Sequence, residues 1–429
     1  RKAWLKTLGS RSRWDSVLAY AEESTDTVVR CHFANARIRA GQTDDLLAQA
    51  QELWAVGESQ PDACDPVFQW LRKQGGITSG LAWERIRRAM EARHPRLTLY
   101  LARYLDASER VWAERWQQMD RTGYRRLDQA IHWHDVAKSR DITYYGLRRL
   151  ARSDPDRAAR VLAQLKGRFS WSEAEAAAIV REIALWSAVE GASTTPERMK
   201  AVPEGYRDDR LLEWWARFEL GRAAWPEIIT TIAAMSGEAR ADSRWRYWDA
   251  RARLENGDRD QAMEQLSDLA TEANYHGFLA ADLLDWPYTI CPQDPTVSPS
   301  DIDALRQEGG FSRALELRAA GILNWARAEW QKAASSQDTD GLRAAAGLAD
   351  SEDWPDRAIF ALGNTGDLRW YEWRFPLDYS AQTEPYAQQN RLDPAWVLGL
   401  MRSESALAED AISSANARGL MQVTPGTAK

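Results

Sequence analysis

The chain is poor in the residues on which metal, redox and phosphate chemistry depend. It has 5 histidines and 3 cysteines in 429 residues. His132 and His134 flank Trp133, but side chains two apart on a helix point away from each other, and no second cluster of ligands accompanies them. His32, His94 and His276 are isolated. No metal site and no cofactor are expected. No Gly-rich loop follows a strand pattern, so the usual phosphate cradles are excluded, and no Gly-x-Ser-x-Gly elbow is present. No apolar run approaches a membrane span, and mean hydropathy is -0.56. A basic excess is also missing. The net charge is -7 and the sequence pI about 5.5, which argues against nucleic acid as a partner. Val, Ile and Thr form no alternating runs over residues 1 to about 286, so sheet is not expected there. The chain begins at Arg1 with neither an initiator Met nor a signal peptide. Residue 1 is therefore expected not to be the first residue of the gene product, and targeting cannot be read directly.

What is abundant is tryptophan, with 22 residues. Most of these rings are expected to fill gaps between helices with their N–H groups at wet edges, and a minority to offer flat platforms to sugars. Residues 1 to about 290 read as short helices joined by tight polar turns. Ala34, Arg37, Ile38, Gly41, Leu47, Gln49 and Leu53 return at a constant offset as Ala250, Arg253, Leu254, Gly257, Met263, Gln265 and Leu269. Each set is a helix, a Gly turn and a second helix. A looser copy runs from Trp214 to Ile229 around Gly221, and a further second helix runs from Asp156 to Leu165. Such hairpins cannot bury their faces alone, so they are expected to stack into an α-solenoid. Ala3, Trp4, Leu5 and Leu8 already lie in a helical pattern, so the array is expected to begin upstream of Arg1. Pro287, Pro292, Pro295 and Pro299 mark a break, after which helical pattern resumes to about Leu362. The expected divisions are a helical-repeat domain over 1–290, a helical linker domain over 291–367 and a third domain over 368–429.

The chemistry is concentrated near the end. Asp393 is a good N-cap and Pro394 suits the first helical position. Val397, Leu400, Met401 and Glu404 then share one helical stripe. A carboxylate thus falls on a stripe that otherwise reads as core. Burial would raise its pKa and make it a candidate general acid. A polar loop follows with Ser413, then Gly419-Leu420-Met421-Gln422, and Thr424-Pro425 as the cap and first residue of another helix.

Glu404-Ser405, Ser413, Gly419-Leu420-Met421-Gln422 and Pro425-Gly426-Thr427-Ala428 together resemble the large soluble lytic transglycosylases of Gram-negative bacteria, whose catalytic domain is similar to goose-type lysozyme. Thr424 departs from the pattern, where many members carry methionine. Ser59 to Asp65 and Arg374 to Tyr379 resemble the same family more weakly. The resemblance implies an all-α protein, with a superhelical ring of helix hairpins followed by a partial lysozyme-like domain. It implies cleavage of the β-1,4 bond between N-acetylmuramic acid and N-acetylglucosamine in peptidoglycan, with a 1,6-anhydromuramoyl product, in the periplasm. Glu404 would be the catalytic acid and base, with Ser405 positioning it. Ser413, Met421 and Gln422 would contact the sugars. Glycan strands would be the substrate, and other cell-wall enzymes the candidate partners. Spacing leaves open whether Cys31 and Cys64 are bridged or are two buried thiols; the resemblance favours the disulfide, which would contribute roughly 3–4 kcal/mol by loop closure. Cys291 would stay free.

Glycosidases ordinarily need two carboxylates. Glu409 and Asp410 are the other acids of this stretch, and they read as solvated loop charges. One carboxylate suffices if the sugar supplies its own nucleophile. The rival readings are a helical scaffold with an inactive lysozyme-like module, and a hydrolytic muramidase. The family's domain continues past the position of Lys429, so the catalytic domain is expected to be incomplete here.

Overall fold

A computed structural model of the chain describes residues 1–21 and 24–428. The fold is all-α; among the described residues the only β pairing is two isolated bridges, Ile412 with Arg418 and Arg418 with Val423. Contacts divide the chain into two compact units, Arg1–Arg240 and Ala241–Lys429. No helix among the described residues is long and apolar enough to cross a membrane.

The first unit is built from capped hairpins. Asp26 accepts hydrogen bonds from the Val28 and Val29 amides at 3.1 and 3.3 Å and starts the helix Thr27–Arg39. Gly41, at φ 71°, turns the chain into the helix Leu46–Trp54. Leu46, Ala50, Leu53 and Trp54 are buried, while Leu47 is 40% exposed. The apolar stripe therefore runs one residue to the side of the one read from the repeat. Cys31 and Cys64 are joined by a disulfide that ties the first of these helices to the short 3-10 turn Asp62–Cys64. Further on, Asp154 accepts from the Arg157 amide at 2.8 Å and Pro155 opens the helix Pro155–Leu165, which buries Ala158, Val161 and Leu165. Ser172 and Glu175 form a reciprocal capping box for Glu173–Glu190, and Gly191 in the left-handed region ends it. One apolar cluster joins these helices from Cys31 to Ile183, with Trp116 fully enclosed. Each fully buried large side chain contributes on the order of 1.5–3 kcal/mol. The looser hairpin differs in its turn. Gly221 stays right-handed at φ -62°, and Ala223 takes the left-handed position instead at φ 53°.

The second unit opens with the counterpart hairpin, Ser243–Asn256 and Arg259–Leu269, turned by Gly257 at φ 96°. Ala262, Leu266 and Leu269 are buried, at the repeat positions of Leu46, Ala50 and Leu53. After Tyr275–Leu284 the chain has no regular structure over 286–298, as Pro287, Pro292 and Pro295 require. Helices from Pro299–Gln307 to Pro355–Leu362 then enclose a second core. Its tryptophans act as filler. Trp330 meets Phe311 edge-on at 4.9 Å between centroids and Trp354 at 5.2 Å. Ser380–Gln389 and Pro394–Ser405 complete the helices, packed around Val397, Met401, Ala406 and Leu407 with Ile359.

Candidate active site

The helix Pro394–Ser405 presents Glu404 in its last turn. Asp393 caps it by accepting from the Ala395 amide at 2.8 Å, which contributes about 1 kcal/mol. The buried face runs through Val397 and Met401, with Leu398 packed beside them, so Glu404 falls on its flank. The expected burial of Glu404 is therefore not found; its side chain is exposed. The physical reason is that a stripe of spacing i, i+4, i+7 fixes a direction only to within a flank, and Leu398 draws the packing toward the other side. Behind the carboxylate the helix stops abruptly. Ala406 and Leu407 are both left-handed, at φ 51° and 66°, and both are buried. Two consecutive non-glycine residues in that region cost roughly 1–2 kcal/mol each, which their burial offsets. Ser405 secures the turn. Its hydroxyl donates to the Met401 carbonyl at 3.0 Å and accepts from the Leu407 amide at 3.1 Å.

Glu404 and Ser405 open on a cavity of about 890 Å³, whose walls include Arg402, Asp410, Arg327, Asp356, Arg357 and Phe360. Four of these form a continuous charged chain. Arg327, from the helix Leu323–Ala334, holds Asp410 with two parallel bonds of 2.7 and 2.6 Å, and its Nε donates to Asp356 at 3.1 Å. Asp356 also accepts from Arg357 Nε and Nη2 at 3.2 and 3.1 Å. Asp356 and Arg357 are buried at 3% and 7% exposure, and Arg357 lies 5.0 Å over the Phe360 ring. Arg327 therefore holds its proton more tightly than an ordinary arginine, first through its hydrogen bond to Asp410. The same bond holds the Asp410 carboxyl below the usual range. Its neighbour Glu409 accepts from the Tyr379 hydroxyl at 3.0 Å, and burial together with that carboxylate pushes the tyrosine up to about 12. The two acids after Glu404 are thus not free loop charges. They pin the loop to two different elements.

The remaining motif residues stand apart from this cavity. Ser413 accepts from the Ala417 amide at 3.1 Å and is exposed. Gln422, left-handed at φ 47°, spends its amide group on the Ala411 and Gly419 carbonyls at 3.1 and 2.9 Å. Met421 is 41% exposed at the tip of the Arg418–Val423 turn. Thr424 accepts from the Thr427 amide at 3.3 Å, and one turn follows where a helix was expected. Arg327, Asp356 and Arg357 were invisible in the sequence, because an arginine in a repeat-like helix carries no sign of a partner 83 residues away. Among the described residues no group of three or more His, Cys, Asp or Glu is arranged to hold a metal ion.

This arrangement has relatives. Residues 304–367 match the family described as soluble lytic murein transglycosylase L domain, and residues 383–429 match the transglycosylase SLT domain. The chain is 28% identical over 437 aligned residues to the soluble lytic murein transglycosylase of Escherichia coli K12, covering 99% of this chain and 66% of that protein. The chain thus spans just under two thirds of the length of that curated relative. Among solved structures, the lytic transglycosylase Slt of Pseudomonas aeruginosa, an inactive mutant, is 31% identical with a TM-score of 0.84, over 99% of this chain and 70% of that one. The 70-kDa soluble lytic transglycosylase of Escherichia coli in complex with bulgecin A is 27% identical with a TM-score of 0.82, over 99% and 69%.

Proposed function

The chain belongs to the soluble lytic transglycosylase family, and from that premise we propose that the protein cleaves the β-1,4 bond between N-acetylmuramic acid and N-acetylglucosamine of peptidoglycan and releases 1,6-anhydromuramoyl ends. The observation that carries the proposal is the single carboxylate, Glu404, standing on a roomy cavity while the nearest other acids are spent on Arg327, Arg357 and Tyr379. A two-carboxylate mechanism has no second free acid there. In the proposed reaction Glu404 gives its proton to the glycosidic oxygen as the C1–O bond breaks. The muramoyl C6 hydroxyl then bonds to C1, and the Glu404 carboxylate takes up the hydroxyl proton. No water is consumed, and the intramolecular nucleophile has the proximity advantage.

Ser405 is a positioning residue in this reading, since its hydroxyl braces the turn that carries Glu404. Ser413, Met421 and Gln422 are assigned to sugar contacts on the strength of the motif. The domain limits near residues 290 and 367 remain part of the proposal, supported by the irregular stretch over 286–298 and the family match over 304–367. A periplasmic site of action and docking of other cell-wall enzymes on the helical array belong to it as well. Mass spectrometry of peptidoglycan digested by full-length protein is the test. Anhydro ends support the proposal, reducing ends point to a muramidase, and no release points to a scaffold.

A further inference from the structure

Two arginines are buried among the described residues, and they are partnered differently. Arg357 is paired with Asp356. Arg85, on the helix Ser79–Glu91 of the first unit, is 5% exposed and forms no ion pair. Its Nε is buried without a hydrogen-bond partner, and its one hydrogen bond runs to the Glu58 carbonyl at 3.4 Å. Burial holds its pKa below the usual arginine value; a guanidinium nevertheless stays charged in proteins. A buried cation without a counter-charge is costly. Besides that carbonyl, the compensation among the described residues is aromatic, with Trp54 at 4.6 Å and Phe68 at 6.0 Å.

Arg85 lines a cavity of about 570 Å³. Tyr100 and Tyr104 form another wall, with the Arg103 guanidinium 3.6 Å over Tyr100 and 5.1 Å over Tyr104. Trp54 meets Tyr104 edge-on at 5.6 Å. Asp62 and Asp65 line the same cavity, on either side of Cys64 in the sequence, whose disulfide to Cys31 anchors that segment. None of the five charged residues of the cavity (Asp62, Asp65, Arg72, Arg85 and Arg103) takes part in an ion pair among the described residues. Cations and anions that leave one another unpaired around one aromatic-walled space are arranged to pair with something that enters it.

We propose that this cavity binds a short zwitterionic peptide, with its carboxylate on the Arg85 and Arg103 side and its ammonium on the Asp62 and Asp65 side. Peptide stems of peptidoglycan have that chemistry, and naming them as the source rests on the function proposed above. The cavity would then hold the substrate's peptide at a place separate from the Glu404 carboxylate.

The test uses full-length protein and three probes: an acidic tripeptide with a free amine, the same peptide with its carboxylates amidated, and a neutral chitooligosaccharide. Calorimetry gives affinity. The acidic peptide should bind, and amidation should weaken it about 10- to 100-fold, the range for a hydrogen bond to a charged group. Arg85→Met and the exposed-rim variant Arg103→Gln should each weaken it comparably, leave chitooligosaccharide affinity unchanged and keep the melting temperature at or above that of the parent. Equal affinity for the acid and the amide, or unchanged affinity in Arg103→Gln, overturns the proposal. If Arg85→Met lowers the melting temperature, Arg103→Gln alone decides. Anhydro ends are scored in parallel. Their absence with peptide binding intact defeats the enzymatic reading only, and the converse defeats this one only.

Discussion

Arg85 in the first unit and Arg357 in the second are equally hidden from solvent, but one is answered by a carboxylate of its own chain and the other is not. The Arg357 side has Asp356, Arg327 and Asp410 in sequence, each satisfied by the next. A charge network closed in this way leaves no charge of its own uncompensated. It fixes the loop that follows Glu404. The Arg85 side is open, so its electrostatics are completed only from outside. The difference teaches that a buried arginine is informative through its partners, and that depth alone says little about role.

The largest effect that would sharpen this contrast lies beside the closed network. In full-length protein, Glu404→Gln should lower anhydromuropeptide release about 10²- to 10⁴-fold, the usual worth of a general acid or base, with melting temperature unchanged; retained turnover on peptidoglycan would refute the assignment. Next comes Asp356→Ala, which strands the buried Arg357. Denaturant unfolding should show a loss of about 3–5 kcal/mol in the transition that includes the second unit. A loss under about 1 kcal/mol would mean that the network is ornamental.

Arg327→Ala should have a smaller effect. The Asp410 carboxylate is partly exposed, so its pair with Arg327 is worth at most about 1 kcal/mol. Its signature is local. Asp410 has a depressed pKa in the folded chain, so its contribution is complete above the unfolded carboxylate value of about 3.9 and is lost as pH falls through the folded value. Protection from hydrogen exchange over residues 406–412, taken against the intrinsic rate at each pH, should therefore fall below about pH 4 in the parent, and should already be lower at neutral pH in Arg327→Ala. Identical exchange profiles would remove the clamp. The smallest expected stability change is for Arg85→Met, near zero or slightly stabilising, because nothing inside the chain neutralises that charge. A large loss of stability there would erase the comparison.

The sequence disclosed the hairpins because their signals are local. Gly41 and Gly257 had to turn the chain, the apolar face from Asp156 to Leu165 had to be a helix, and the prolines between 287 and 299 had to interrupt one. The helix that carries Glu404 was legible for a comparable reason, since it begins at a readable cap. Its surroundings were misjudged. Periodicity could not say whether Leu398 or Leu400 would complete the buried face, and with Leu398 chosen the carboxylate came to the surface. Partners distant in sequence were out of reach. Nothing around Asp410 announces Arg327, and nothing around Tyr379 announces Glu409. Trp116 and Trp330 fill the core as expected of the tryptophans, but the Trp116 N–H is buried instead of reaching a wet edge, and the ring under Arg85 could not have been told from either.

The left-handed pair Ala406-Leu407 has a mechanical consequence. Both side chains are plugs seated in the core, so the helix before them cannot add or shed a turn without drawing a stopper. The carboxylate two and three places ahead of those plugs is therefore fixed along the helix axis as firmly as a pin behind a shoulder, and only its side-chain rotation stays adjustable.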